Sequence, residues 1–288
     1  MQIKENQWQV GKVKITRILE SEGAFGLFVV PDATPENLQE MDWLKPHFVN
    51  DKWVAMVSIH ALIIDTPSKT LVVDTCLGND KKRSVPGWSN LQTNFLEDMH
   101  HAGYPEDIID TVLCTHLHTD HVGWNTKLVN GEWVPTFENA EYLFGKDEWE
   151  YTEKQSSQDP HYNEFFVDSI KPIQEAGLVR FVGTNEQICD EVILEPTLGH
   201  TPGHVSIRIE SEGKKAAITG DFLHHPSQME KLEWESIVDW DASMAKETRR
   251  RKLQEYSEED ILVFGTHFAS PSAGKVIKKG DHFEFDVK

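Results

Sequence analysis

Short apolar runs bounded by polar and turn-forming residues recur along the chain, and their lengths are typical of β-strands. Eight of these runs predict strands at residues 54–64, 70–74, 111–115, 141–144, 192–194, 205–209, 216–219 and 261–264. Apolar residues at three- and four-residue spacing predict helices at residues 91–101, 146–153 and 242–256. The alternation of the two patterns predicts a mixed α/β fold.

Several of the predicted strands run directly into residues that can bind metal ions or exchange protons. These residues are Asp74, His116, His200, Asp221 and His267. A stiff sheet can direct several loops towards one point, so it holds side chains at strand ends in place with little further ordering cost. We therefore expect the functional residues to lie at these strand ends.

The composition indicates a globular chain with a sizeable core. Hydrophobic residues make up 39% of the 288 residues, and no repeat, low-complexity segment or long Gly/Ser/Pro linker marks a domain boundary. We predict a single domain over residues 1–288. Residues 22–53 are rich in aromatic residues and prolines and poorly periodic. Residues 1–53 are therefore interpreted as an N-terminal extension that either covers a site as a flap or packs at an edge.

Charge, hydropathy and cysteine spacing argue against several classes of protein. The formal net charge of −20 makes a phosphate backbone an unfavourable partner, so we expect no nucleic-acid binding. The basic run at residues 249–252 lies in a predicted helix between acidic residues, which indicates a solvated helix face. Because there is no long apolar run and no apolar stretch near the start, we predict a cytoplasmic protein without a membrane segment. The widely spaced Cys76, Cys114 and Cys189 form no CxxC motif and are expected to be reduced, buried thiols.

The strongest chemical signal is a run of six residues that follows a predicted strand and contains His116, His118, Asp120 and His121. Imidazole and carboxylate groups are the usual ligands of zinc and similar divalent ions, and two histidines two residues apart can bind one ion. The Asp120-His121 pair then points elsewhere and can serve a second ion. Without a cation or a hydrogen-bond network, four such side chains would be desolvated at a cost with nothing to offset it.

This HxHxDH run resembles the signature of the metallo-β-lactamase superfamily, and further residues match the family in the expected order. His200 lies in a Gly-His-Thr-Pro-Gly-His stretch, Asp221 follows Thr-Gly at a strand end, and His267 lies in Gly-Thr-His. An early strand that ends in Asp74 also matches, so the resemblance covers residues 54–267.

The resemblance implies a four-layer αβ/βα sandwich with two divalent metal ions at one edge. The ions are expected to be zinc, with iron, manganese and cobalt as alternatives. By the family pattern, the first ion is held by His116, His118 and His200, the second by Asp120, His121 and His267, and Asp221 bridges the two.

Two further residues near these motifs are interpreted as hydrogen-bond partners of the ligands. His204 lies four residues after His200 and at the start of a strand, where the family pattern favours a residue that orients a ligand over a ligand itself. Asp74 is interpreted in the same way, with a plain turn residue as the alternative.

The resemblance also implies a reaction, because two ions about 3.5–4 Å apart can share a water and lower its pKa. As a hypothesis, the bridging hydroxide attacks an electrophilic carbonyl or phosphorus, and Asp120 orients it. His224, three residues after Asp221, is the candidate for protonating the leaving oxygen, with an exposed loop histidine as the alternative. The pattern is most similar to the branch that contains lactonases and methyl-parathion-hydrolase-like enzymes, which implies cleavage of a lactone, an ester or an organophosphate.

Two other activities of this fold are kept as alternatives. One is β-lactam hydrolysis, although the B1 and B2 β-lactamases carry a cysteine where this chain has Asp221. The other is an iron-dependent oxidoreductase, although diiron flavoproteins usually carry a glutamate where this chain has His118.

The expected partner is a small molecule with an apolar or aryl part. Trp88, Trp124 and the aromatic residues of 22–53 would suit such a group, and Trp124 is as well explained by packing of its loop. The sequence leaves the oligomeric state open, and a homodimer is one alternative.

Overall fold

Across residues 6–287, which the computed structural model describes, the strands form two seven-stranded sheets and a separate hairpin. The first sheet contains, in spatial order, β1 (Gln7–Val10), β2 (Val13–Gly23), β3 (Val57–Asp65), β4 (Thr70–Val73), β5 (Thr111–Leu113), β8 (Glu141–Gly145) and β9 (Val179–Val182). The second contains β10 (Gln187–Cys189), β11 (Val192–Pro196), β12 (Val205–Ser211), β13 (Lys214–Ile218), β14 (Ile261–Phe264), β15 (Ala273–Lys279) and β16 (His282–Asp286). The hairpin is formed by β6 (Thr126–Val129) and β7 (Glu132–Pro135).

The helices lie between the strands along the chain. They are α1 (Pro35–Leu38), α2 (Phe95–Ala102), α3 (Lys146–Ser156), α4 (Pro160–Phe165), α5 (Lys171–Glu175), α6 (Ser227–Glu230) and α7 (Ala242–Glu258). A π-helical turn at Phe166–Ile170 joins α4 to α5. Short 3₁₀ turns occur at Asp42–Leu44, Glu106–Ile108, Gly123–Asn125 and Gly220–Phe222.

The two sheets pack face to face through apolar side chains. One buried cluster combines residues of the first sheet, such as Ile64 and Leu113, with residues of the second, such as Ile207 and Phe264. Two further clusters place α2, α3 and α4 on the outer face of the first sheet, and α7 with residues 27–55 on that of the second. The predicted four-layer αβ/βα sandwich is therefore confirmed.

Parallel pairing explains why the motif residues converge. Val73 of β4 pairs with Leu113 of β5, and Ile218 of β13 pairs with Phe264 of β14, all in parallel. The residues that follow paired parallel strands emerge at the same edge of a sheet. The loops after β4, β5, β13 and β14 thus open towards one edge of the sandwich.

All eight predicted strands and all three predicted helices have counterparts, with ends that differ by up to four residues. The largest omission is β2, an eleven-residue strand in which Thr16 and Arg17 are buried beside the apolar residues. Its buried polar side chains hide the strand pattern; Arg17, for example, pairs with Glu22 of the same strand and with the distant Ser270.

The interpretation of residues 249–252 as a solvated helix face is wrong for half of the run. Arg249 is fully buried and donates to the carbonyl oxygens of Phe222, Leu232 and Trp234. Burial lowers the pKa of Arg249 to about 10. Lys252 is buried against acidic side chains, whereas the two residues between are exposed. The helix therefore uses part of its basic run to hold a neighbouring loop.

The predictions about the cysteines and about a membrane segment can be compared with the described residues. Cys76 and Cys114 are free and buried, and Cys189 is free and half-buried. Among the helices of residues 6–287, none has the length and apolar character needed to cross a bilayer.

Candidate active site

The structure brings all seven predicted ligand residues together at the open edge of the sandwich. Their donor atoms form clusters in which all atoms lie within 4.8 Å of one another. One cluster contains His116, His118 and His200, a second contains Asp120, His121 and His267, and a third contains His116, His121 and Asp221.

Asp221 lies between the first two clusters. Its Oδ2 atom is 3.0 Å from His267 Nε2, 3.4 Å from His121 Nε2 and 3.9 Å from His200 Nε2. In the first cluster, His118 Nδ1 is 3.0 Å from Nε2 of both His116 and His200. One carboxylate oxygen therefore faces donor atoms of both groups.

The loop that carries the HxHxDH run is fixed by contacts with the end of β4. The backbone N–H of Thr115 and its hydroxyl both donate to Asp74 at 2.8 Å, and Thr75 N–H donates to the His121 carbonyl at 2.7 Å. Gly123 is required here, because a Cβ atom at this position would lie 1.9 Å from the Leu77 carbonyl carbon. The close approach holds the motif loop against the residues that follow β4.

Histidine nitrogens that point away from the clusters have partners of their own. Asp74 Oδ2 lies 2.9 Å from His121 Nδ1, and Asp239 Oδ1 lies 2.8 Å from His200 Nδ1. His267 Nδ1 donates to the backbone oxygen of Ser58 at 3.0 Å. In the neutral form of the His200 and His267 rings such an outer hydrogen bond fixes the tautomer, so that the inward nitrogen carries a lone pair. The contact of Asp74 with His121 Nδ1 is ionic and lacks hydrogen-bond geometry.

His204 and Asp74 lie where the sequence analysis expected hydrogen-bond partners. His204 Nε2 accepts from the backbone N–H of Asp221 at 2.7 Å, and its Nδ1 lies 2.8 Å from the Thr197 hydroxyl. Asp239 was not identified from the sequence, because it lies in an irregular loop that carries no recognisable motif.

The electrostatics of the cluster arise from burial and from a few carboxylates. Burial and the neighbouring rings hold the pKa values of His116 and His118 well below the usual range. Burial also opposes a charge on His121, but Asp221 and Asp74 raise its pKa well above the usual range. Although burial acts against ionisation of Asp221, the adjacent His267 and His121 keep its pKa well below the usual range.

The donor set fits divalent metal ions. The inward atoms His121 Nε2 and Asp221 Oδ1 are buried and have no hydrogen-bond partner, which normally costs about 1–3 kcal/mol each. The 3.0 Å separations around His118 Nδ1 are close to the roughly 3.3 Å between ligand nitrogens of a tetrahedral zinc ion. A set of imidazoles and carboxylates suits zinc and also iron, cobalt and manganese.

His224 is buried beside these clusters, so the alternative of an exposed loop histidine is wrong. Its Nε2 lies 3.6 Å from Asp221 Oδ2, and its ring is nearly parallel to that of His267. Neither ring nitrogen of His224 has a hydrogen-bond partner. Burial lowers its pKa to about 4, so the ring is neutral at neutral pH.

A cavity of about 770 Å³ lies over the clusters, and His118, Asp120, Asp221, His224 and His267 form its polar end. The remaining lining is mainly apolar and includes Phe25, Phe28, Trp88, Ile237 and Trp240. Among the described residues that line it, several are acidic and none is lysine or arginine. The cavity therefore suits an apolar group without negative charge.

Of the two tryptophans and the N-terminal segment that were expected near the cavity, only a part lines it, and the rest packs in the core. Trp88 lines the cavity, whereas Trp124 stacks on Phe95 and donates to Glu20, so Trp124 packs its loop. Residues 25–29 line the cavity, while most apolar residues from Val30 onwards are buried against the second sheet. Part of the segment therefore lies at the cavity, and its role as a flap stays a prediction.

Comparisons with known proteins agree with this geometry. A family model described as the metallo-beta-lactamase superfamily matches residues 56–267. No curated protein matches the chain.

Several solved structures share the whole fold at low sequence identity. One is a structure described as hydrolase AbOPH in the beta lactamase superfamily, with a TM-score of 0.81 and 23% identity. The aligned region covers 99% of this chain and 98% of the AbOPH chain. The dizinc quorum-quenching lactonase AidC, in complex with the product N-hexanoyl-L-homoserine, has a TM-score of 0.77 and 20% identity. The aligned region covers 98% of this chain and 96% of the AidC chain. A probable metal-dependent hydrolase from Staphylococcus aureus has a TM-score of 0.77 and 19% identity. The aligned region covers 98% of this chain and 99% of the hydrolase chain. At these identities the likeness shows the fold alone.

Proposed function

The chain belongs to the metallo-beta-lactamase superfamily, and from this membership we propose that it is a hydrolase that uses two divalent metal ions to cleave an uncharged lactone or ester. The observation that carries the proposal is the position of Asp221 between two groups of donor atoms at the end of an apolar cavity. A dizinc lactonase is among the proteins that share the fold.

The proposed ligands follow the clusters. His116, His118 and His200 would hold the first ion, Asp120, His121 and His267 the second, and Asp221 would bridge them. Zinc is the proposed metal. Bound there, the ions would supply a water that is deprotonated near neutral pH and would polarise the substrate oxygen.

Two residues of the chain are proposed to act on the reacting groups. Asp120 lies at the floor of the cavity, where its carboxylate would accept a hydrogen bond from the attacking water and orient it. The neutral ring of His224 has two free nitrogens beside Asp221 and would donate an N–H hydrogen bond to the leaving oxygen. A neutral donor matches the low pKa of this ring.

The charge of the cavity supports an uncharged substrate over the alternatives. A β-lactam antibiotic carries a carboxylate, and apart from the proposed metal ions the described cavity lining offers no lysine or arginine to pair with it. An unpaired buried charge costs several kcal/mol. Residues 25–29 cover part of the cavity, and the N–H of Ile237 donates to the Val29 carbonyl at 2.8 Å, so we propose that this segment acts as a flap.

Metal content and a substrate panel test the proposal together. We expect about two zinc-like ions per chain by elemental analysis and turnover of lactones and aryl esters, with little turnover of a β-lactam. An organophosphate triester in the panel separates carbonyl from phosphorus chemistry. One iron per chain with oxygen consumption and no hydrolysis would reject the proposal in favour of the oxidoreductase.

A further inference from the structure

A buried ionic cluster lies behind one wall of the cavity and outside the proposed metal ligands. Arg83 donates to both carboxylate oxygens of Asp168, at 2.8 and 2.9 Å. The ammonium group of Lys81 lies 3.6 Å from the same carboxylate and donates to the Asp168 backbone oxygen at 3.3 Å and the Thr126 hydroxyl at 2.8 Å. Both side chains are fully buried, so one interior carboxylate serves the Arg83 guanidinium and the Lys81 amine, whose pKa burial lowers to about 7.

Stability alone does not account for such a cluster. Replacement of buried ionic groups by apolar residues of similar volume is often neutral or stabilising by about 1–4 kcal/mol, whereas removal of one partner is costly. The cluster also includes a cation–π contact, with Lys81 Nζ 3.7 Å from the centre of the Trp133 ring. The geometry of several segments therefore depends on the one carboxylate of Asp168.

The cluster joins two segments that each supply part of the cavity wall. Residues 77–93 contribute Leu77, Val85 and Trp88, among others, and residues 159–162 contribute Tyr162. Residues 74–94 contain no helix or strand, so their shape depends on side-chain contacts. Arg83 and Lys81 lie in the first segment, and Asp168 lies in the π-helical turn that follows α4, the helix of the second segment.

Two observations show that the connection between the segments is specific. Asp168 lies in the π-helical turn, a feature that is often found at functional sites, and its backbone oxygen also accepts from Thr126. Nearer the surface, Ser84 N–H donates to Glu164 at 2.9 Å, and the Ser84 hydroxyl lies 3.0 Å from His161 Nδ1. The wall is thus fastened at an inner and an outer point.

We propose that Asp168 is a positioning residue that sets the separation of these two wall segments and thereby selects substrates by the size of their apolar part. The inference rests on the proposed function, since it assumes that the apolar part of the substrate occupies this cavity. In Asp168→Asn, Arg83 loses the carboxylate that accepts its two parallel hydrogen bonds and is left as an unpaired buried charge, so the wall between residues 77–93 and α4 opens. Asp168, Arg83 and Lys81 do not contact the metal ligands, whereas the Tyr162 hydroxyl on α4 lies 3.5 Å from His118 Nε2, so metal content is measured in each variant.

Kinetics on a series of p-nitrophenyl esters, from acetate to decanoate, test the proposal. In Asp168→Asn we expect KM to rise about tenfold for the longest tail and to change little for acetate, with similar kcat throughout. Arg83→Lys, which keeps the charge and loses the two parallel hydrogen bonds, should show a smaller change of the same form. Glu259→Gln is the matched control, because it weakens the Arg208 ionic cluster, whose members do not line the cavity.

A readout without hydrolysis separates this inference from the proposed function. Binding of the uncharged apolar dye N-phenyl-1-naphthylamine, followed by fluorescence, should weaken about tenfold in Asp168→Asn at unchanged metal content. If the wild type hydrolyses no ester, the proposed function fails while dye binding still tests the wall. If ester hydrolysis occurs and KM for Asp168→Asn rises equally for all tails or not at all, the positioning role is rejected.

Discussion

The site contains two histidine–carboxylate pairs that differ in what holds them in place. Asp74 follows β4 directly and is fixed by Thr115 at the end of the neighbouring parallel strand, so the sheet itself supports His121. Asp239 lies in a loop, and the loop is attached to its partner histidine: Trp240 N–H donates to the His200 carbonyl at 2.9 Å. The same chemical support is thus built once from strand ends and once from loop contacts.

The difference indicates that the sheet side at Asp74 and the loop side at Asp239 have different roles. The loop at residues 236–240 also carries Ile237 and Trp240, which are exposed at the mouth of the cavity, whereas the surroundings of Asp74 are fully buried. The sheet side is expected to contribute to the stability of the fold, and the loop side to connect the substrate entrance with the metal centre. Five substitutions test this comparison.

The largest effect is expected for Asp221→Ala, because this carboxylate faces donor atoms on both sides. Hydrolysis should fall on the order of a thousandfold, the upper end of the cost of losing one preorganised electrostatic partner. Elemental analysis should show fewer than two ions per chain, while circular dichroism remains that of a folded protein. Full metal content with full activity would show that Asp221 is not a ligand.

The next effect is expected for His224→Ala, which removes a buried donor beside Asp221 on the loop side. For alkyl lactones and esters with poor leaving groups, kcat should fall about a hundredfold, within the range for removal of a positioned proton or hydrogen-bond donor. For p-nitrophenyl esters, whose leaving group needs no help, the change should be small. Equal losses for both substrate types would remove His224 from the proposed role.

A smaller effect is expected for Asp239 and Asp74, the carboxylates that contact the outward nitrogens of His200 and His121. Here the loop variant and the sheet variant should differ in stability. Asp239→Asn and Asp74→Asn should each weaken metal binding by about 10–100-fold in a chelator competition. Only Asp74→Asn should also lower the melting temperature of the metal-free protein, since Asp74 holds Thr115 as well as His121. Equal melting temperatures for the two variants would contradict the division between sheet and loop.

The smallest effect is expected for Trp240→Ala, which removes a half-exposed side chain of the loop and leaves its backbone contact with His200 in place. Loss of roughly 1 kcal/mol of apolar contact should raise KM about fivefold for long-tailed esters. Metal affinity should not change. A loss of metal in this variant would mean that the side chain, and not only the backbone, supports His200.

The difference between the two sides also explains what the sequence could predict. His116, Asp221 and His267 follow apolar strands, so their positions at strand ends can be predicted from the pattern, and the family resemblance predicts that they share one site. Asp239 and Asp168 lie in irregular or π-helical segments, and their partners are separated from them by tens of residues along the chain. No local pattern marks such contacts. Arg249 was misinterpreted for the same reason, because the carbonyl groups that accept its hydrogen bonds belong to residues that are distant along the chain.

The absence of lysine and arginine from the described cavity lining has a consequence for turnover. Under the proposed function, the ester enters as a neutral molecule and the acid is released as an anion. Away from the metal end, an apolar cavity with acidic residues, in a chain of net charge −20, offers the anion no cationic side chain. Bound metal ions would therefore be what holds the released carboxylate, because the described lining supplies no cation, and inhibition by the free acid should depend on metal occupancy.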